Sequence, residues 1–533
     1  MKIGLIPIDN RPCTMQFPCQ LGRIIKTEII IPPAEILGDF LQPGNTPAIR
    51  NWVMEKAAQL DVLIVSVDML CYGGLINSRE GVINPDEAIE GLKVFARLKE
   101  IHPQLHIMGF NVIMRTSVTV RDDKTAVYWR DLGEYLFLNY KEKNSDLSVH
   151  EKKRLNLLDN RIPPELLQEY CAVRMRNHQV NSEVLLSLAR GDLDFVILCQ
   201  EDATLYGPHK EEQMKLEEQI ISLGLNDDVV IYNGTDEAGM LLLARVLNFE
   251  RKAMPVFAFN FVPWEGRNNI PPFEDRPLAE NVKLQCTVAG IIPVFIQEKK
   301  PFMEQGFIAD AMTIINCSHR QKGEDWLGPI SPTVERDFAV GDFLRLVQEI
   351  RLPLGVADLR FANGGDPGFL KELAERIGLF NLAAYAGWNT SGNSLGTVLA
   401  HLSVFLAACK QEEERADWDL HYGFLLNRFL DDVIYQAGIR QRLIKLISDQ
   451  EDFGSVYRLS PKGCVAAAKY LQDFMMLEAW SFYELYIKEK EFTGQPLGKG
   501  KIKVDFHGVT TGLPWGRLFE ADIKAKISIL PEV

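Results

Sequence analysis

The chain has 533 residues, 47% of them hydrophobic, with a formal net charge of -14. That length exceeds one ordinary domain unless the domain is a barrel with additions. The acidic balance argues against nucleic acid or an anionic membrane as the main partner, because both need a basic face.

The N-terminal stretch MKIGLIPIDNRP does not read as a signal peptide, since Asp9 and Arg11 interrupt its short apolar run. No uninterrupted apolar run reaches membrane-spanning length, so no span is expected. The nine cysteines are scattered and form no CxxC pair. Thiols used as small hydrophobes fit a reducing cytoplasm, which is the expected location.

Short apolar runs recur along the chain. They are Lys2–Pro7, Val62–Val67, Leu105–Val112, Phe195–Cys199, Val229–Tyr232, Val256–Val262, Ile291–Phe295, Thr313–Asn316, Leu354–Ala357 and Leu382–Tyr385. Continuous runs of this length suit parallel strands covered on both faces. Helical spacing fills the gaps between them, as in Pro85–Ile101, Lys210–Leu223 and Val340–Ile350. The alternation predicts an α/β protein.

A (β/α)8-like barrel over residues 1–410 is the favoured architecture, with a helical insertion at about 140–191. Two doubly wound α/β domains, divided near residues 265 to 290, are the alternative. Pro263–Pro277 is read as a loop over the sheet edge. Residues 411–533 are expected to be mostly helical and to end in a small β element at Lys501–Leu530. Helical support and a dimer contact are both open roles for that region, so a homo-oligomer is compatible. No internal repeat is evident.

In such folds ligands sit at the carboxyl ends of strands, so the residues after each run matter most. The first run leads to Asp9, Asn10 and Arg11, and the second to Asp68, Tyr72 and Arg79. The third leads to Arg115, the fourth to Glu201 and Asp202, and the fifth to Asp236 and Glu237. Later runs lead to Asn363 and Asp366, then to Trp388, Asn389 and Asn393. Any one of these clusters is explained by helix capping or turn formation. Several carry Arg, Tyr or Trp beyond what a cap needs. Carboxylates, amides, guanidinium groups and aromatics together suit a hydroxyl-rich ligand.

Glu201 and Asp202 raise the sharpest question. Neighbours in a strand face opposite ways, but that restriction relaxes where a strand becomes a loop. Two nearby carboxylates push each other's proton affinity apart and so supply an acid and an oriented partner. The pair resembles, by analogy over a few residues, the acid pair of barrel glycosidases that use the substrate's acetamido group. The bland alternative is a cap for the helix beginning near His209. Asp236 also has a capping reading, with Glu237 in the first turn of the next helix.

The working constellation takes Asp202 as general acid or base, Glu201 as its partner and Asp236 as the opposing carboxylate. The other strand-end residues would bind substrate, a small carbohydrate, with acidic and acetamido sugars among the candidates. No cofactor is expected. The nine histidines do not cluster in a metal-binding spacing. His102 and His106 would lie at the amino end of a strand, while His209 and His319 are better placed. A divalent-metal hydrolase or lyase using Asp9, Asp68 and Glu201 is a second reading. A non-catalytic sugar- or metabolite-binding protein is a third.

The ordered segments IPIDNRP, DMLCYGGLINSR, QEDATLYG, GTDEAG, FANGGD, GWNTSGNSLGT and LPWGRLFEADI resemble the bacterial domain-of-unknown-function family 4127. The resemblance spans nearly the whole chain. It implies a bacterial α/β protein and picks out the same strand-end segments, without naming a reaction.

Overall fold

The computed structural model describes residues 1–120, 123–250, 254–297, 309–317, 352–410, 416–493 and 501–531. The helix expected at Val340–Ile350 and the side chain of His319 lie outside the described residues. Chain contacts separate two compact units. One comprises Met1–Pro18, Thr27–Leu242 and Phe273–Arg276, and the other comprises Cys19–Lys26, Leu243–Pro272 and Pro277–Val533.

The first unit is built on a parallel sheet. Its strands are β1 (Lys2–Ile6), β2 (Glu28–Ile30), β3 (Val62–Ser66), β4 (His106–Ile113), β5 (Phe195–Gln200) and β6 (Val229–Asn233). Their order is β2-β1-β3-β4-β5-β6, and every neighbouring pair is parallel. Each residue of β3, β5 and β6 is buried. The apolar runs are continuous for that reason: both faces of these strands are covered. Leu63, Val65, Val196 and Leu198 of the sheet share one core with Leu92, Phe95 and Val184 of its helices.

The chain passes from β1 out to β2, then returns to the other side of β1 for β3. A reversal of this kind leaves a crevice outside the carboxyl ends of β1 and β3, the usual ligand position in open α/β sheets. Between β4 and β5 stand helices Asp123–Asn144, Val149–Arg161 and Pro164–Ala189. They have their own core, which includes Leu132, Leu136, Leu155, Leu158 and Val173. Ser148 and Glu151 form a reciprocal capping box at the start of the second of these helices.

The second unit holds another parallel sheet. Its strands are β7 (Val256–Val262), β8 (Ile292–Phe295), β9 (Ala311–Asn316), β10 (Leu354–Asp358) and β11 (Ala384–Ala386). The order is β11-β10-β9-β7-β8, again with all neighbours parallel. Taken in chain order, this is the same arrangement as the first five strands of the other sheet.

The α/β class therefore holds, whereas a closed barrel is not shown among the described residues. Helix Ser391–Lys410 is long and apolar enough to cross a membrane, but 94% of its most apolar stretch is buried inside the protein. Helices follow at Trp418–Arg428, Arg440–Ser448 and Pro461–Tyr486. An antiparallel pair, Lys501–Gly512 with Asp522–Pro531, closes the described chain.

Candidate functional site

The residues after β1 fold back on themselves. Asp9 Oδ1 accepts from the Arg11 backbone N–H at 3.0 Å and from Thr14 Oγ1 at 2.6 Å. Pro12–Gln16 then forms a π-helical turn, with the Phe17 N–H reaching the Pro12 carbonyl. This local wrapping aims Arg11 along the carboxyl edge of the sheet. Its Nε donates to Asp9 Oδ2 at 2.9 Å, and its two terminal nitrogens donate to Asp236 at 3.1 and 2.6 Å. Asp9, Arg11 and Asp236 thus form a buried triad with a two-pronged guanidinium–carboxylate contact. Burial pushes the Asp236 carboxyl up, and the charges of Asp9 and Glu201 add to this against the pull of Arg11.

Glu201 and Asp202 lie just past β5. Gln200 fixes the start of their loop, its side-chain amide donating to the Glu201 carbonyl at 2.8 Å while its Oε1 accepts from Gln213 at 2.9 Å. Asp202 has φ +36°, in the left-handed region that a residue with a side chain rarely adopts. With that turn, both consecutive carboxylates face guanidinium groups: Glu201 pairs with Arg79 and Asp202 with Arg115 at 3.2 Å. Burial lowers Arg79 to about 10, and repulsion from Arg115 and Arg11 adds to this against Glu201 and Asp202. Asp68 accepts from the Val112 N–H at 3.0 Å. Burial raises its carboxyl to about 7, and the charge of Glu201 contributes. These mutual influences gather Asp9, Arg11, Asp68, Arg79, Arg115, Glu201, Asp202 and Asp236 at one end of the first sheet.

Other candidates in this unit are occupied by the protein itself. Glu237 is fully buried, and its Oε2 accepts from the Thr235 N–H at 3.0 Å. Burial pushes it up to about 8. Its carboxyl fills the space beneath Gly234, where a β-carbon would meet Glu237 Oε1 at 1.8 Å. Tyr72 is buried with Arg176 over its ring at 4.4 Å. Asn10 donates to the Gly38 carbonyl at 3.0 Å.

Asn363, Asp366, Trp388, Asn389 and Asn393 belong to the second unit. Asp366 caps helix Pro367–Arg376, accepting from the N–H groups of Gly368 and Phe369, and pairs with Arg360 at 2.9 Å. Asn363 and Asn389 both have positive φ, and the Asn363 N–H donates to the Asn389 carbonyl at 2.9 Å. Trp388 is buried against Phe519, and Asn393 is buried near the start of helix Ser391–Lys410.

The centre of this second cluster is Asp358, the strand-end acid with which β10 finishes. It accepts from Asn316 at 2.6 Å, from the Asp366 N–H at 2.7 Å and from the Tyr385 hydroxyl at 3.0 Å. Asp432 and Arg428 hold the loop after β11 through the Gly387 N–H. Asp432 lies in the π-helical segment Phe429–Ile439, far along the chain from the strand ends.

Sequence reasoning also passes over Tyr170 and Arg174, which secure the Arg115 loop. Tyr170 donates to the Arg115 carbonyl at 3.0 Å, and Arg174 donates to the carbonyls of Met114 and Arg115, both at 2.8 Å. Their spacing of four on one helix was the available signal.

Among the described residues, no group of three or more His, Cys, Asp or Glu side chains is placed to hold a metal ion. A family model described as "Protein of unknown function (DUF4127)" matches residues 3–524. No curated protein and no solved structure matches the chain.

Proposed function

The chain belongs to the DUF4127 family of proteins of unknown function, and from that premise we propose that it is a carbohydrate-acting enzyme, a glycoside hydrolase or close relative, working at the carboxyl edge of its first sheet. One observation carries this reading. Carboxylates from the ends of separate strands, Asp9, Glu201, Asp202 and Asp236, are gathered with Arg11, Arg79 and Arg115 at one edge. Such an edge, beside a reversal in strand order, is where open α/β sheets hold their ligands.

Asp202 is the acid/base group in this scheme, because it is the most open carboxylate of the set, with 29% of its side chain exposed. It would exchange a proton with the glycosidic oxygen. Glu201 would orient the sugar. Asp236 would act as a fixed charge, since both of its oxygens are engaged by Arg11. Asp68 is poised to hold a proton close to neutrality.

Chromogenic glycosides offered to the purified protein test the scheme. Asp202→Asn should lower turnover by about 10²–10⁴-fold, the usual worth of a general acid/base group. Undiminished turnover in that variant would sink the assignment. Sugar binding without turnover in either protein would favour a binding protein instead. The metal-dependent reading predicts loss of activity with a chelator. Engagement of Asp9 and Glu201 by guanidinium groups weighs against it.

A further inference from the structure

Each guanidinium group around Glu201 is already paired with a carboxylate of the protein. Arg79 takes one Glu201 oxygen, Arg115 takes Asp202, and Arg11 lies between Asp9 and Asp236. An incoming anion would find each of these guanidinium groups already facing a carboxylate. An incoming ammonium would have to approach Arg79 and Arg115. Recognition is left to hydrogen bonds.

Three atoms supply them. Glu201 Oε2 and the Nε atoms of Arg79 and Arg115 are buried without a hydrogen-bond partner. The Glu201 side chain is 10% exposed and that of Arg79 is 5% exposed. A buried polar atom left unpaired is unfavourable, so such atoms mark places that a ligand or ordered water completes. Arg79 holds the other Glu201 oxygen and Arg115 holds the next residue, Asp202, so one acceptor and two donors belong to one side-chain cluster and match neighbouring hydroxyl groups, each of which both donates and accepts.

We propose that this site takes an uncharged polyhydroxylated ligand, a neutral sugar, with one hydroxyl donating to Glu201 Oε2 and neighbouring oxygens accepting from Arg79 Nε and Arg115 Nε. The inference rests on the reading of this edge as the substrate site, and it narrows the substrate class, setting aside an acidic sugar. Arginine serves here as a shaped donor whose charge is already spent on a carboxylate.

Calorimetric binding to the full chain tests it. The probes are glucose, galactose and N-acetylglucosamine, then glucuronate and galacturonate, then glucosamine and galactosamine. At least one neutral sugar should bind, with its charged counterparts weaker by about tenfold or more. Arg79→Lys keeps the charge opposite Glu201 but removes the Nε–H, and should weaken the neutral sugar by about tenfold. Arg115→Lys is a second variant of the same design, should the first fail to fold. The proposal is overturned if a charged counterpart binds as tightly as its neutral parent. It is equally overturned if lysine variants that fold bind like the parent, or if no neutral sugar binds, which would leave ordered water as the occupant. Neutral-sugar binding with this pattern but no glycoside turnover would overturn the proposed reaction and leave this inference standing. Turnover confined to uronides would do the reverse.

Discussion

Arg11 shows how one side chain can hold a site together. Its guanidinium satisfies Asp9 from its own turn and Asp236 from a position 225 residues away. All three side chains are almost fully buried. Removing one partner from such a set leaves charge stranded in a poorly solvated place. Arg11→Met should therefore cost about 3–5 kcal/mol in urea unfolding, the range for breaking a buried ion pair. Adding Asp236→Asn to that variant should recover part of the loss, because one stranded charge is gone. A loss below about 1 kcal/mol, the range of surface ion pairs, would refute the triad as a structural element. The sequence gives Asp9, Arg11 and Asp236 by their positions after apolar runs. It does not reveal that Arg11 engages both oxygens of Asp236. That contact is long-range, and no local spacing encodes it.

At the scale of elements, the loop bearing Glu201 and Asp202 is clamped from outside. The Ala203 N–H donates to the Phe273 carbonyl at 2.8 Å. Asp275, fully buried, pairs with Lys210 at 2.8 Å and lies 3.6 Å from His209 Nε2, which also meets the Thr204 carbonyl at 2.9 Å. Burial alone would raise the Asp275 carboxyl. His209, Arg276 and Lys210 outweigh it and hold the group well below the usual carboxylate range. Segment Phe273–Arg276 thus acts as a strap on the start of helix Pro208–Leu223. Asp275→Ala should release it. Hydrogen exchange at the Ala203 amide should then quicken by about tenfold or more, while β5 amides stay protected, since local openings are separable from global unfolding. Equal protection in the variant would mean that the strap bears no load. The sequence reading of Pro263–Pro277 as a loop over the sheet edge anticipates the strap only in outline. Strands such as β3 and β5 were legible because burial on both faces makes their runs continuous. Strand β2 was not, because only three residues pair and Glu28 is exposed.

For the whole molecule, alternation of strand and helix suits a barrel and a pair of open sheets equally. The difference lies in two short strands. Strand β2 occupies the outer edge of β1, and β8 occupies the outer edge of β7. Each takes hydrogen bonds that a closing neighbour would need. So few residues carry too weak a pattern to decide architecture from sequence.

Both units also bury acids that keep their protons. Burial pushes Asp68, Asp358 and Asp432 up to about 7, Asp431 to about 6 and Glu237 to about 8. In an unfolded chain these groups ionise near pH 4. The folded protein therefore holds protons that the unfolded chain has lost. The stability they contribute is complete below about pH 4 and is lost as pH rises through the folded values. His401 and His421 act in the opposite sense. They lie 3.0 Å apart, and burial pulls His421 down to about 3 and His401 well below its ordinary value. Their cost appears as pH falls below about 6.5, where the unfolded chain protonates them. Between about pH 7 and 8 both histidines are neutral in either state and unfolded thiols are only beginning to ionise, so the acids dominate the slope. Urea midpoints should accordingly fall between about pH 7 and 8, each acid contributing at most about 1.4 kcal/mol per pH unit while the folded form keeps a proton that the unfolded chain has lost. Glu237→Gln, which retains an acceptor for the Thr235 N–H, should flatten the upper part of that fall because Glu237 titrates last. Midpoints that stay level across the window would show that these carboxyls are already ionised in the folded protein, and would remove Asp68 as a proton store beside Glu201.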